Sequence, residues 1–162
     1  MPPIVGHGAD PFQAGWAFII QPIPICHLQF GGNFASSSPG VEDLRWHHVA
    51  AVYDAGMQSE TCYVDGDAGG TVNGARRPLV PVDAGLEIGR GWRGWLAEIR
   101  ISSTARYSAS FVPARRFAPD GSTLALYPLD EGAGQIARDA SGNGHDASLQ
   151  GAARLGAPPM CP

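Results

Sequence analysis

Residues 46–54 of this chain are Trp-His-His-Val-Ala-Ala-Val-Tyr-Asp, and residues 62–66 are Cys-Tyr-Val-Asp-Gly. The first run is apolar on both faces of an extended chain, which predicts a central strand covered on both sides or a strand that lines a concave face. The second run predicts a strand that ends in a tight turn, because Asp-Gly tolerates the positive φ of a hairpin. Two more strand-like runs follow, Leu-Glu-Ile-Gly at 86–89 and Gly-Trp-Leu-Ala-Glu-Ile-Arg-Ile at 94–101.

Outside these runs the chain has the same strand-and-turn pattern. No window of about 11 residues carries the i, i+3, i+4, i+7 apolar spacing of an amphipathic helix. Short apolar runs separated by Gly, Pro, Asp and Asn predict an all-β sandwich. Further strands are predicted at residues 16–20, 25–30, 79–82 and 123–127, and loops at residues 31–40 and 67–78.

The core follows from the alternation of apolar side chains along the predicted strands. In the strand at residues 95–102, Trp95, Ala97, Ile99 and Ile101 share one face, which we expect to be the buried one. The side chains predicted to form the core are Trp16, Phe18, Ile20, Leu28, Phe30, Trp46, Val49, Val52, Val64, Ile88, Ile99, Ile101, Leu124 and Leu126.

The length and net charge of the chain limit the classes of partner that it is expected to bind. The chain has 162 residues, which suits one domain, with a net charge of −4 and a pI near 5.6. All 11 basic residues are arginine. An acidic chain without a basic patch has no electrostatic footprint for nucleic acid. No apolar run approaches the roughly 20 residues that span a bilayer, so membrane insertion is not expected.

The order of the four motifs resembles that of laminin G-like domains in the concanavalin A-like lectin/glucanase superfamily, in the variants carried by large bacterial secreted proteins. The resemblance covers roughly residues 12–150 and implies a two-sheet antiparallel β-sandwich, the jelly roll of concanavalin A. It also implies a non-catalytic module that binds a carbohydrate or a cell-surface protein, outside the cell or at its surface. The residues after Met1 carry no visible signal peptide.

We assign residues 1–152 to the sandwich and 153–162 to a Pro-rich tail. Within the sandwich, residues 121–150 contain Leu-Asp-Glu-Gly-Ala-Gly and Asp-Ala-Ser-Gly-Asn-Gly, which resemble the opening strand of many laminin G-like domains. Here they follow the closing strand, so they either begin a tandem copy or complete this sandwich in a circularly permuted order. We favour the permuted order, because the segment alone has no partner for its apolar face.

The resemblance also implies further strands before residue 15, so we expect a sandwich that is short at its N-terminal side. An open sheet edge would make the chain a structural or assembly module, completed by strand addition, and this is the alternative function.

The best ligand-contact candidates are Arg90, Trp92 and Arg93, in a short Gly-rich loop. Sugar CH faces stack on aromatic rings while planar polar groups bind hydroxyls, and this loop offers both. The alternative is that Trp92 occupies a core position where the family often has phenylalanine.

Calcium is the candidate cofactor, because many domains of this superfamily hold the ion. The residues with suitable oxygen donors are Asp139, Ser141 and Asn143, with Asp130 just before them. The spacing is not that of an EF-hand, and an Asx-type turn explains the same residues.

Catalysis is not expected. The glucanases of the superfamily carry E-x-D-x-x-E on one strand, whereas here Glu98 is followed by Arg100 where a partner carboxylate would stand. A glucanase fragment is therefore the least favoured function. The three cysteines are an odd number, and a bridge between Cys26 and Cys62 requires Cα atoms within about 7 Å.

Overall fold

The computed structural model describes residues 3–10, 14–21, 25–30, 33–36, 41, 43–74, 85–151 and 153–156. In that part of the chain the regular elements are all strands, and every pairing is antiparallel, so the predicted all-β class is confirmed. No helix among those residues is suited to cross a membrane. The chain divides into two compact units, residues 1–93 with 105–113, and residues 94–104 with 114–162.

The first unit contains two antiparallel sheets. Its larger sheet has the order β4-β3-β2-β1-β8 and its smaller sheet the order β5-β6-β7. Strands β3 and β4 contact the strands of the smaller sheet, which gives the predicted sandwich. The strand bounds are β1 Pro3–Asp10, β2 Ala14–Gln21, β3 Ile25–Phe30, β4 Asn33–Ser36, β5 Val49–Asp54, β6 Ser59–Val64, β7 Asp67–Asn73 and β8 Leu86–Ile88.

The core of the first unit comes mainly from β1, β2 and β6. Phe18 and Val64 are buried as predicted. The side chains of Trp16, Trp46, Val49, Val52 and Ile88 are half-buried. The predicted core side chains of Ile20, Leu28 and Phe30 lie outside the described part of the chain. Cys62 is fully buried. The side chain of Cys26 lies outside the described residues, so the bridge between the two stays untested.

Three sequence-based assignments in the first unit are wrong. Residues 31–40 were expected to be a loop, yet Asn33–Ser36 forms β4, because its backbone groups pair with β3. Residues 67–78 were expected to be a loop, yet Asp67–Asn73 forms β7, because its backbone groups pair with β6 despite the two glycines. The strand at residues 46–53 was expected to be central or to line a concave face, and the first alternative is wrong, because among the described residues β5 ends the three-stranded sheet and β6 is central. The predicted strand at residues 79–82 lies outside the described residues.

The second unit is built from two antiparallel strand pairs. Strand β9 (Ile99–Ser102) pairs with β10 (Thr123–Tyr127), and β11 (Ile136–Ala137) pairs with β12 (Ala147–Ser148). The neighbour of β10 is thus the last strand of the motif series. The assignment of residues 121–150 stays a prediction.

Three residues of the second unit that were predicted to be buried face solvent. Trp95 is 53% exposed and Ala97 is also exposed, because the strand begins at Ile99 and the alternation rule does not extend to the residues before it. Leu124 is 47% exposed, because the register shifts between Thr123 and Ala125 and turns Leu124 outward. Leu126 is buried as predicted, together with Ala125 and Tyr127.

Candidate functional site

The Asp65-Gly66 turn joins β6 to β7 with φ values of 53° and 87°, as a two-residue hairpin turn requires. The Asp65 carboxylate accepts a hydrogen bond from the His48 backbone N–H at 2.9 Å and contacts His47 Nδ1 at 2.8 Å. His47 Nε2 lies 2.8 Å from Asp43 Oδ1. Burial of His47 disfavours the imidazolium, but hydrogen bonds to Asp43 and Asp65 outweigh it and raise the histidine pKa. The cluster therefore locks the turn to the segment before β5.

An aromatic cluster covers the other side of the same turn. Tyr107 and Phe111 stack with ring centroids 3.6 Å apart, and both contact the buried ring of Tyr63. The Phe111 backbone N–H donates to the Gly66 carbonyl at 2.9 Å. A Cβ on Gly66 would lie 1.8 Å from the Phe111 carbonyl oxygen, so only glycine fits there. The turn thus fixes the connector of residues 105–113, which is a structural role.

The predicted ligand loop is a turn in which the Trp92 backbone N–H donates to the Gly89 carbonyl at 3.0 Å. Arg90 and Arg93 are exposed, and Arg90 forms an ion pair with Glu87 at 3.0 Å. The Trp92 side chain is half-buried, and its enclosed Nε1 finds no acceptor among the described residues. Two guanidinium groups are therefore available to solvent, while the indole is not an open platform. The contact role of this loop stays a prediction.

The predicted calcium residues form a hydrogen-bonded turn around Asp139. Asp139 Oδ1 accepts from the backbone N–H groups of Leu126 and Ser141, both at 2.9 Å. Its Oδ2 accepts from Ser141 Oγ at 2.8 Å and from the His145 backbone N–H at 3.0 Å. Burial acts against the carboxylate, but these donors together lower the pKa of Asp139 to about 2. Asn143 Nδ2 donates to the carbonyls of Thr123 and Leu124 at 2.9 and 3.0 Å.

This arrangement does not fit a calcium ion bound by Asp139. A calcium ligand must direct free oxygen lone pairs at the ion, and both Asp139 oxygens already accept two hydrogen bonds each. Asp130 is not drawn into the cluster, since its Oδ2 pairs with Arg116 Nη1 at 3.2 Å. Across the described stretches, no three His, Cys, Asp or Glu side chains are arranged to hold a metal.

Replacing Asp139 with alanine is expected to lower the free energy of unfolding by about 2 kcal/mol, because several donors lose a charged acceptor. We expect the melting temperature of the wild type to be the same in calcium and in excess chelator. Asp130→Asn is the matched control and should change stability by about 0.5 kcal/mol or less, because its ion pair is exposed. A calcium-dependent rise in melting temperature that Asp139→Ala abolishes would contradict this prediction and restore the metal site.

Glu98, the one candidate for a catalytic carboxylate, is hydrogen-bonded to the backbone of a distant segment. Its Oε2 accepts a hydrogen bond from the Phe117 backbone N–H at 2.9 Å. The Arg100 guanidinium lies over the Phe117 ring, 4.1 Å from its centroid. The two side chains thus fasten the segment around Phe117 to β9.

A buried carboxylate in β6 was missed by the sequence analysis. Glu60 is 0% exposed, and neither of its carboxylate oxygens finds a hydrogen-bond partner in the described part of the chain. Burial raises the pKa of Glu60 to about 7. The signal was present in the sequence, because Glu60 has the same strand parity as the apolar residues Cys62 and Val64.

A shallow depression of about 690 Å³ lies on the second unit and was also not anticipated. It is bounded by the turn before β10, the start of β10 and the turn after Asp139. Its lining residues are Asp120, Gly121, Thr123, Leu124, Ser141, Asn143 and His145. Two of the predicted calcium residues, Ser141 and Asn143, therefore form part of its wall.

Comparison with known families gives one match. Residues 25–110, more than half of the chain, match the laminin G-like family model described as the concanavalin A-like lectin/glucanases superfamily. The match covers β3 to β9 and the connector that carries Tyr107. Searches of curated proteins and of solved structures give no match. This chain therefore belongs to the laminin G-like family of the concanavalin A-like lectin/glucanases superfamily.

Proposed function

We propose that this domain is a non-catalytic recognition module that binds a carbohydrate or a cell-surface partner, within an exported bacterial protein. The superfamily contains both glycosidases and non-catalytic lectins, so membership alone does not separate the two. The observation that favours recognition over catalysis is that Glu98 Oε2 accepts a hydrogen bond from the Phe117 backbone N–H. A general acid or a nucleophile needs its carboxyl oxygens directed at a substrate.

The loop of Arg90, Trp92 and Arg93 is the proposed contact surface. Both arginine side chains are exposed; Arg90 lies within the turn from Gly89 to Trp92, and Arg93 follows it directly. Planar guanidinium groups donate paired hydrogen bonds to hydroxyl, carboxylate or sulfate oxygens, which suits glycans and acidic surface polymers. Calcium is not needed for this mode of binding.

A glycan array that includes neutral, sialylated and sulfated structures tests the function. We expect the folded domain to bind a subset of them, and the double variant Arg90→Ala/Arg93→Ala to need at least about tenfold more protein for half-maximal signal. The charge-matched control is Arg115→Ala/Arg154→Ala, which removes two other exposed arginines. No binding to any glycan or surface polymer by the folded wild type would refute the proposal.

A second candidate function is assembly through a sheet edge. Strand β7 ends the order β5-β6-β7, and most of its side chains are exposed. Such a strand can accept an added strand from a partner through its backbone groups. Light scattering separates the two functions, because a monodisperse monomer over the working concentration range speaks against assembly of identical copies.

A further inference from the structure

We propose that the depression around Leu124 is a binding subsite for one residue of an uncharged sugar. This inference rests on the proposed recognition function, and it adds a second site and a class of ligand. The site lies within the second unit and shares no residue with the loop of Arg90, Trp92 and Arg93. The depression is shallow and mostly polar, with a volume of about 690 Å³, so it suits contact with one face of a small polar ligand.

The walls of the depression are held rigidly by hydrogen bonds that leave its surface groups available. Asp139 fixes the backbone at Ser141 and His145, as described above. The hydroxyl of the buried Tyr127 donates to the His145 carbonyl at 2.6 Å. Asn143 Nδ2 is held by two carbonyls of β10. A preorganised site loses little conformational entropy when a ligand binds.

Three groups remain that can contact a ligand. The Asn143 Oδ1 oxygen, an acceptor, has no hydrogen bond to another described residue, because only its Nδ2 faces the β10 carbonyls. The exposed His145 imidazole can donate and accept hydrogen bonds, while the His145 backbone N–H donates to Asp139. Leu124, which is 47% exposed, supplies an aliphatic surface in the same lining.

The chemistry of these groups selects the ligand. The lining contains no lysine or arginine, so it has no fixed positive charge for an anion, and Asp120 adds a carboxylate. A purely apolar ligand would cover polar groups without satisfying them. A sugar residue fits both demands, because its hydroxyls pair with Asn143 and His145 while its CH face rests on Leu124.

A titration followed by ¹H–¹⁵N correlation spectra tests the subsite. The probes are three uncharged disaccharides, namely lactose, maltose and cellobiose, with a heparin disaccharide as the anionic comparison. We expect at least one uncharged probe to shift the amide signals of Gly121, Asn143 and His145, and the heparin disaccharide to leave them unmoved. His145→Ala and Leu124→Ser should each weaken that binding at least about fivefold.

The control is Ile136→Ser, because Ile136 is a strand residue of the same unit with a similar exposure of 40%. It should not change the affinity. The subsite is refuted if none of the three probes moves these amides at roughly 50 mM, where a site with a Kd near 1 mM is saturated. Array binding that is lost in Arg90→Ala/Arg93→Ala and kept in His145→Ala would leave the recognition function standing even where the titration refutes the subsite.

Discussion

Replacing Gly66 with alanine is expected to lower the free energy of unfolding by about 2–4 kcal/mol. Holding a residue other than glycine at φ 87° costs about 1 kcal/mol. The new Cβ would also lie 1.8 Å from the Phe111 carbonyl oxygen, so the connector must move, and overpacking of this kind costs about 1–3 kcal/mol more. Urea unfolding followed by tryptophan fluorescence gives the difference.

Gly74→Ala separates the two contributions. Gly74 has a φ of 81°, but a Cβ there would meet no atom within 4 Å. Its substitution should therefore cost only the backbone strain, about 1 kcal/mol. Equal losses in the two variants would show that the close approach of Phe111 to the turn contributes nothing to stability.

Replacing Glu60 with glutamine is expected to make the domain more stable than the wild type at pH 8, by about 3 kcal/mol. The native state keeps the Glu60 proton up to about pH 7, whereas the unfolded chain releases it near the ordinary value of 4.5. Between these values the native state binds more protons, so wild-type stability falls as the pH rises. The variant carries no such proton, and near pH 4.5 the two proteins should be similar.

Denaturant unfolding of both proteins from pH 5 to pH 8 measures this difference. His47 also has a raised pKa, and its contribution is lost as the pH rises through that value, but it is present in both proteins and cancels in the comparison. The control is Glu87→Gln, an exposed carboxylate of the same unit, whose effect should stay within about 0.5 kcal/mol. A difference between wild type and Glu60→Gln that does not change with pH would contradict the prediction.

Strands whose apolar residues alternate could be predicted from the sequence. Strands that are extended because they pair with a neighbouring strand could not. Strand β7 is rich in Asp and Gly, which favour loops in isolation, yet pairing with β6 along its length keeps it extended. The predictions that Trp95 and Leu124 are buried were wrong for a related reason. Alternation assigns faces only within an unbroken strand, and one residue precedes β9 while the other lies at a register shift.

The candidate sites were harder to predict, because one set of side chains serves several chemistries. Asp139, Ser141 and Asn143 carry the oxygens that calcium prefers, and the oxygens of Asp139 and Ser141 accept hydrogen bonds from a turning backbone. Only the hydrogen-bond distances in the structure show that both carboxylate oxygens of Asp139 are occupied by donors. The depression brings together residues about 20 positions apart, such as Asp120 and Asn143, and no local motif signals that proximity.

The pairing of β1 with β8 has a consequence for the order of folding. Strands β1 to β4 follow one another in the larger sheet, and β5 to β7 do so in the smaller sheet, so their hairpins close short loops. Val5, by contrast, pairs with Ile88 at the far end of the first unit's chain. Closing so long a loop carries a large entropy cost before any contact rewards it. We therefore expect the two meanders to form early and the docking of β8 to limit the rate at which the sandwich is completed.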